Sequence, residues 1–201
     1  MAQNLPLAGF RILSAEQYGA GPYGTMFLAQ LGAEVIKIEP PAKDGSGGAV
    51  GPHFLREGES LYFPAFNLNK RSLTLDLRTA EGQKIFHALV ANSHAVANNM
   101  RGDLPQALGL TYDSLKSVNP AIVCAHLSAY GRDNERARWP GYDYLMQAEA
   151  GFLELTGEPD GPPTRFGLSM VDFMTGMTLA FATSAAVVGA LKTGQGRDVD
   201  V

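Results

Sequence analysis

The sequence predicts an α/β protein of Rossmann-like type, with a mostly parallel sheet and helices on both faces. Three observations carry that expectation. Short β-rich runs alternate with helical stretches along the whole chain. The first strand, helix and second strand follow one another within about thirty residues, the length of a parallel βαβ unit. The turn between the first two is Gly19-Ala20-Gly21-Pro22-Tyr23-Gly24, a glycine-rich strand-to-helix junction. A chain of 201 residues, 45% of them hydrophobic, suits a single α/β domain with a real core, residues 1–201.

Arg11–Ser14 is the first expected strand. A helix follows, with Pro22 suited to its first position and Gly32 stopping it after Met26, Leu28 and Leu31. Glu34–Glu39 is the second strand, closed by Pro40-Pro41, and Lys43 to Glu59 is a polar, Gly-rich loop. Leu61–Phe66 is aromatic and expected to pack. Ser72–Leu77 alternates as a strand, and Thr79 can cap the next helix, which carries Ile85, Phe86, Leu89 and Val90 on one face. Ala95–Asn98 and Ile122–Leu127 read as strands, and Tyr112–Val118 and Tyr142–Ala150 as helices. Gly157–Pro163 is dense in turn residues. Gly196–Val201 alternates like a strand in progress, so the chain is expected to be the front part of a longer protein.

Composition removes several function classes. A net charge of -4 with mixed signs gives no nucleic-acid or membrane footprint. The single cysteine, Cys124, forbids an internal disulfide and fits a reducing cytoplasm; Met1–Leu7 lacks the basic start and long apolar core of a signal peptide. Val171–Leu191 approaches membrane-span length, but its small residues and its Asp fit a buried helix better. His53, His87, His94 and His126 lack metal-ligand spacing, so no metal is expected. Neither a G-x-S-x-G elbow nor a P-loop occurs.

Four features could carry chemistry. The Gly19–Gly24 turn matches G-x-G-x-x-G, with Glu39 placed where a ribose-binding acid would stand; it is read as a dinucleotide site or as a tight turn. Lys70 and Arg71 are a solvated pair or a phosphate contact. Glu16 and Asp172 are the acids best placed for a cleft, both near helix starts. Asp172 is the only charge between Gly167 and Ala190. Ser169-x-x-Asp172 can be a variant capping box; alternatively, a carboxylate in apolar surroundings beside a Gly-rich turn suits acyl transfer.

Further segments add a family resemblance. They are Ala20-Gly21-Pro22, Leu31–Glu39, Asn69–Leu77, Thr156–Pro163 and Gly194-Gln195-Gly196-Arg197, in that order. With them the chain resembles the N-terminal part of the class III CoA-transferases, the family of formyl-CoA and carnitine CoA-transferases that also contains α-methylacyl-CoA racemase. The resemblance implies that Asp172 is the nucleophile, passing through an aspartyl anhydride and an aspartyl-CoA thioester. It implies oxyanion support from Gly19 and Ala20. It implies a CoA site lined by Leu75, Asp76, Leu77, Arg78, Asn99, Met100, Arg101, Tyr142 and Asp143, with Arg78 and Arg101 as phosphate partners. The substrates would be an acyl-CoA and a small carboxylic acid, with no permanently bound cofactor. A full-length protein would be a homodimer whose small domain lies beyond Val201.

Three positions depart from the family pattern. Ala107 replaces an arginine before Leu108-Gly109-Leu110, and Asn98 replaces an acid. Gly141-Tyr142-Asp143 carries tyrosine where racemases have an acid/base histidine, which favours transfer over racemisation. The remaining alternatives are a nicotinamide-dependent oxidoreductase and a truncated, inactive binding domain.

Overall fold

The computed structural model describes residues 5–41, 54–56 and 59–201. Its main sheet has six strands, β1 (Arg11–Ala15), β2 (Glu34–Glu39), β5 (Arg71–Thr74), β6 (Ala95–Asn98), β7 (Val123–His126) and β8 (Arg197–Asp200). All neighbours run parallel, in the spatial order β5-β2-β1-β6-β7-β8. Counting only these strands, the order is the 3-2-1-4-5-6 of a doubly wound sheet. A small antiparallel pair, β3 (Phe54–Arg56) with β4 (Glu59–Ser60), stands apart. The expected loop from Lys43 to Glu59 falls largely outside the described residues.

Alternation in the strands builds two cores. Ile12, Val35, Ala95, Ala97, Val123 and Ala125 face one side, where helices α1 (Ala20–Gln30) and α7 (Met170–Thr193) cover them with Leu28, Leu179 and Val187. Leu13, Ile38, Val96 and Cys124 face the other, against Phe86 and Val90 of α3 (Ala80–Val90) and Leu115 of α5 (Tyr112–Leu115). Burial of both faces explains why these strands read as near-continuous apolar runs. Thr79 caps α3 as expected, its hydroxyl accepting from the Gly82 N–H at 3.0 Å.

Several boundaries differ from the sequence reading. The third strand of the order ends at Thr74 rather than Leu77; after Leu75 N–H donates to Glu39 O, the chain turns, and Leu75 and Leu77 bury themselves against the core instead. Tyr112–Val118 keeps only one helical turn, Tyr112–Leu115. Tyr62–Phe66 forms a short helix, α2, and Leu104–Ala107 another, α4. Helix α7 was expected to be a buried helix. Only one face is, because it packs on α1 and the sheet from one side; Met174, Met177, Phe181, Val188 and Leu191 are exposed. By length and composition α7 could also cross a membrane, but its inner face is part of the core described above.

Helices α1 and α7 cross at glycines. A Cβ on Gly24 would meet the Gly176 carbonyl oxygen at 2.3 Å, and one on Gly176 would meet the Ala20 carbonyl oxygen at 2.5 Å. Only glycine permits that backbone approach. One turn before Gly176 stands Asp172.

Candidate active site

The reversal of strand order lies between β1 and β6, and in doubly wound sheets ligands bind beyond the carboxyl ends of such strands. Ala15 pairs with Asn98 there, and the next residues close the gap. The Asn99 side chain accepts from the Gln17 N–H at 2.9 Å and donates to the Gln17 carbonyl at 2.7 Å. The floor of the switch point is therefore fixed by a side chain that mimics a strand neighbour.

Asp172 enters this crevice from α7. Its carboxylate lies against the β1–α1 turn: a Cβ on Gly19 would come 2.7 Å from Oδ2. Among the described residues no hydrogen-bond donor or ion-pair partner reaches that carboxylate. Burial, and then the charge of Asp143, push its pKa up to about 6. Tyr62 stands at the same turn, its hydroxyl 3.4 Å from the point a Gly19 Cβ would occupy. Burial first, then Tyr18, Asp172 and Asp143, raise its pKa to about 12, so near neutral pH it is a neutral donor.

The helix carrying Asp172 is not capped from its own chain start. Ser169 makes no side-chain cap bond, so the Ser169-x-x-Asp172 capping box is not formed. The cap comes from Asp143 at the start of α6 (Asp143–Glu149): its Oδ2 accepts from Val171 N–H at 2.8 Å and from Asp172 N–H at 3.2 Å.

Two adjoining cavities meet at Asp172. The larger, about 710 Å³, runs past Asn99, Met100 and Arg101 to Arg136, Trp139 and Glu149. The smaller, about 540 Å³, is walled by Tyr18, Tyr62, Tyr142 and Tyr144 and includes Gly19, Asp143 and Arg165. Of the residues singled out in the sequence, Gly19, Ala20, Asn99, Met100, Arg101, Tyr142 and Asp143 each line at least one of them. Leu75, Asp76, Leu77 and Arg78 line neither; the two leucines are in the core, and the exposed Arg78 guanidinium holds Asp76 at 2.8 Å. Arg101 is ion-paired to Asp103 at 3.2 Å.

Other candidates prove structural. Glu16 is not a cleft acid: Lys70 Nζ binds its Oε1 at 2.7 Å, Thr25 Oγ1 donates to it, and both ionic side chains are buried. Lys70 completes its three donors with the Pro22 carbonyl and Asn67 Oδ1, so it is neither solvated nor free for a phosphate. Arg71 is exposed and pairs with Glu34. Glu39, the would-be ribose acid, accepts from Ser72 Oγ at 2.5 Å. Asn98 is buried; its amide lies 2.8 Å from His126 Nδ1, and His126 Nε2 lies 2.9 Å from Asp198.

Sequence reasoning did not single out Gln17, Gln147, Arg136 or Trp139. Trp139, the only tryptophan, sits beneath the Arg136 guanidinium at 5.0 Å and could have been flagged by composition alone. Gln147 stands one helical turn after Asp143, the spacing of a side-chain pair on one helix face.

Asp172 thus faces a backbone turn at the switch point of a doubly wound sheet, with no partner to its carboxylate among the described residues. Residues 7–201 match the model of CoA-transferase family III, and the chain belongs to that family. It is 36% identical to a succinate–glutarate CoA-transferase of Agrobacterium fabrum, covering 98% of this chain and 50% of that protein. It is 34% identical to an acetyl-CoA:oxalate CoA-transferase of Acetobacter aceti, with 98% and 50% covered. A crystal structure of a CAIB/BAIF family protein from Brucella suis superposes with a TM-score of 0.87 at 36% identity, covering 98% of this chain and 53% of that one. The chain thus spans about half the length of the relatives it matches.

Proposed function

We propose that the protein to which this chain belongs transfers CoA from an acyl-CoA to a free carboxylic acid, with Asp172 as the nucleophile. The observation that carries the reading is the setting of Asp172: pressed against Gly19, partly buried, and without a hydrogen-bond donor to its carboxylate among the described residues. Poor solvation leaves the ionised form reactive.

In the proposed sequence Asp172 attacks the thioester carbonyl. The carbon–sulfur bond breaks, leaving a mixed anhydride and CoA thiolate. The thiolate then attacks the aspartyl carbonyl, expelling the first acid as its carboxylate and leaving an aspartyl-CoA thioester. The acceptor carboxylate attacks that thioester, and the released thiolate takes the acceptor acyl group from the new anhydride, restoring Asp172. Each intermediate is as activated as the thioester it came from, so none is a deep trap. Backbone N–H groups at Gly19 and Ala20 would support the oxyanions, and the neutral Tyr62 hydroxyl could add a donor.

The relatives named for succinate, glutarate and oxalate support short dicarboxylic acids as the substrate class. The larger cavity, with Arg101 and Arg136, is the proposed seat of the CoA arm. Arg78, outside both cavities, would meet CoA only where it extends over the sheet edge. The reading extends to a cytoplasmic homodimer of the full-length protein. Tyr142, which is 54% exposed, offers no imidazole, and no observation favours racemisation.

The test is mass spectrometry after incubation with succinyl-CoA and quenching in hydroxylamine. A hydroxamate on Asp172, lost in Asp172→Asn and Asp172→Ala, is expected. Undiminished CoA transfer by Asp172→Asn would overturn the proposal.

A further inference from the structure

Helix α7 brings its nucleophile to the crevice with its first turn open, and the polar groups that close that turn come from α6. Asp143 Oδ2 takes the Val171 and Asp172 N–H groups. Its Oδ1 accepts from Gln147 Nε2 at 2.5 Å. Gln147, fully buried, also donates to the Leu168 carbonyl at 3.2 Å and accepts from the Phe166 N–H at 3.0 Å. Two side chains on one face of α6 therefore clamp the segment from Phe166 to Asp172.

The two carboxylates at this mouth have opposite surroundings. Asp143 is 7% exposed and its carboxylate accepts from three N–H donors. Among the described residues, the Asp172 carboxylate receives none.

We propose that Asp143 is a positioning residue for Asp172: it caps the nucleophile's helix and, as the neighbouring carboxylate, penalises free Asp172 carboxylate relative to its uncharged anhydride and thioester. The inference rests on the reading of Asp172 as nucleophile. When Asp172 Oδ bonds to the acyl carbon, the carbon–sulfur electron pair leaves on the thiolate. The negative charge thereby moves off Asp172 and away from Asp143. The cap bonds to Val171 and Asp172 N–H persist throughout, because they use the backbone.

The other groups around Asp172 do not supply this charge. Tyr18 on the β1–α1 turn, Tyr62 on α2, and Tyr142 and Tyr144 at the start of α6 bring phenols to the cavity wall, not carboxylates. Arg165 lines the smaller cavity and is exposed. Across the larger cavity Arg101 pairs with Asp103, and Arg136 with Glu149. Asp143 is the charge that acts on Asp172.

The experiment uses full-length protein labelled with 13C at aspartate carboxyls, with the Asp172 signal assigned by its loss in Asp172→Asn. In Asp143→Asn the Asp172 midpoint is expected to fall, the part of its rise due to burial remaining. The acid limb of CoA transfer should move down with it, and the hydroxamate trapped on Asp172 at pH 8 should drop severalfold. Asp143→Glu, which keeps the charge, should restore the midpoint toward the wild type. Should Asp143→Asn not fold, Asp143→Ser, a neutral cap, carries the same readout. A folded neutral variant whose Asp172 midpoint stays put overturns the inference. Absence of hydroxamate on wild-type Asp172 would instead sink the nucleophile reading, and the titration would report that separately.

Discussion

Gly24 and Gly176 are in backbone contact, and this contact sets how far α7 leans over α1. The space a Gly24 Cβ would need is filled by the Gly176 carbonyl. Because Asp172 is one helical turn upstream of Gly176, the closeness of the crossing also governs how near the carboxylate comes to the β1–α1 turn.

Gly176→Ala should therefore cost both stability and transfer. A methyl 2.5 Å from the Ala20 carbonyl cannot be absorbed by a side-chain rotation, so the helices must part. Overpacking of this kind costs about 1–3 kcal/mol. Urea unfolding should show that loss, and the transfer rate should fall by more than the fraction unfolded explains.

Gly19→Ala separates chemistry from stability. Its Cβ would overlap Asp172 Oδ2, the far end of a side chain that can turn aside. The melting temperature should change little. Acylation of Asp172, followed by hydroxylamine trapping, should fall by about a hundredfold, as expected for a reacting group displaced by an ångström.

Asp172→Asn should stabilise the protein while abolishing transfer. Folding raises the Asp172 pKa to about 6, chiefly through burial and next through Asp143. The native state then binds a proton that the unfolded chain has released between about pH 4 and 6. Stability from this group is present below the lower value and lost as pH rises through the upper one. Removing the carboxylate should return about 1–2 kcal/mol at pH 8, after allowance for partial solvation, and nothing comparable at pH 4. Denaturant titrations of both proteins at the two pH values decide it.

Lys70→Met should be strongly destabilising. The Lys70 and Glu16 side chains are 2% and 0% exposed, so the variant strands a buried carboxylate. Loss of one partner of such a pair costs about 3–5 kcal/mol. Adding Glu16→Gln, which keeps an acceptor for Thr25, should recover most of it in urea unfolding. A single variant as stable as the wild type would show that Glu16 is not the partner Lys70 answers to.

The strand and helix order was legible because it depends on local pattern. Pro40-Pro41, Gly32 and Asn119-Pro120 punctuate the chain where the structure turns, and Thr79 caps the helix it precedes. Asp172 stood out because a lone charge in an apolar run is visible without coordinates. The strand ending at Thr74 was overextended since Leu75 and Leu77 alternate like strand residues, yet they bury themselves past the last sheet bond. What stayed hidden depends on distance along the chain. Lys70 and Glu16 are 54 residues apart, and the cap from Asp143 reaches 29 residues ahead to Asp172. No short window of sequence contains both partners, so neither pairing could be read from the residues alone.

The crossing of the first helix by the last has a bearing on biogenesis. Until α7 docks on α1, Asp172 is an ordinary solvated acid with no turn beside it and no rival carboxylate behind it. Contacts between such remote segments close late and slowly. On the proposed reading of Asp172, a half-folded nascent chain would therefore meet thioesters with that acid still disarmed, and completion of the fold would switch it on.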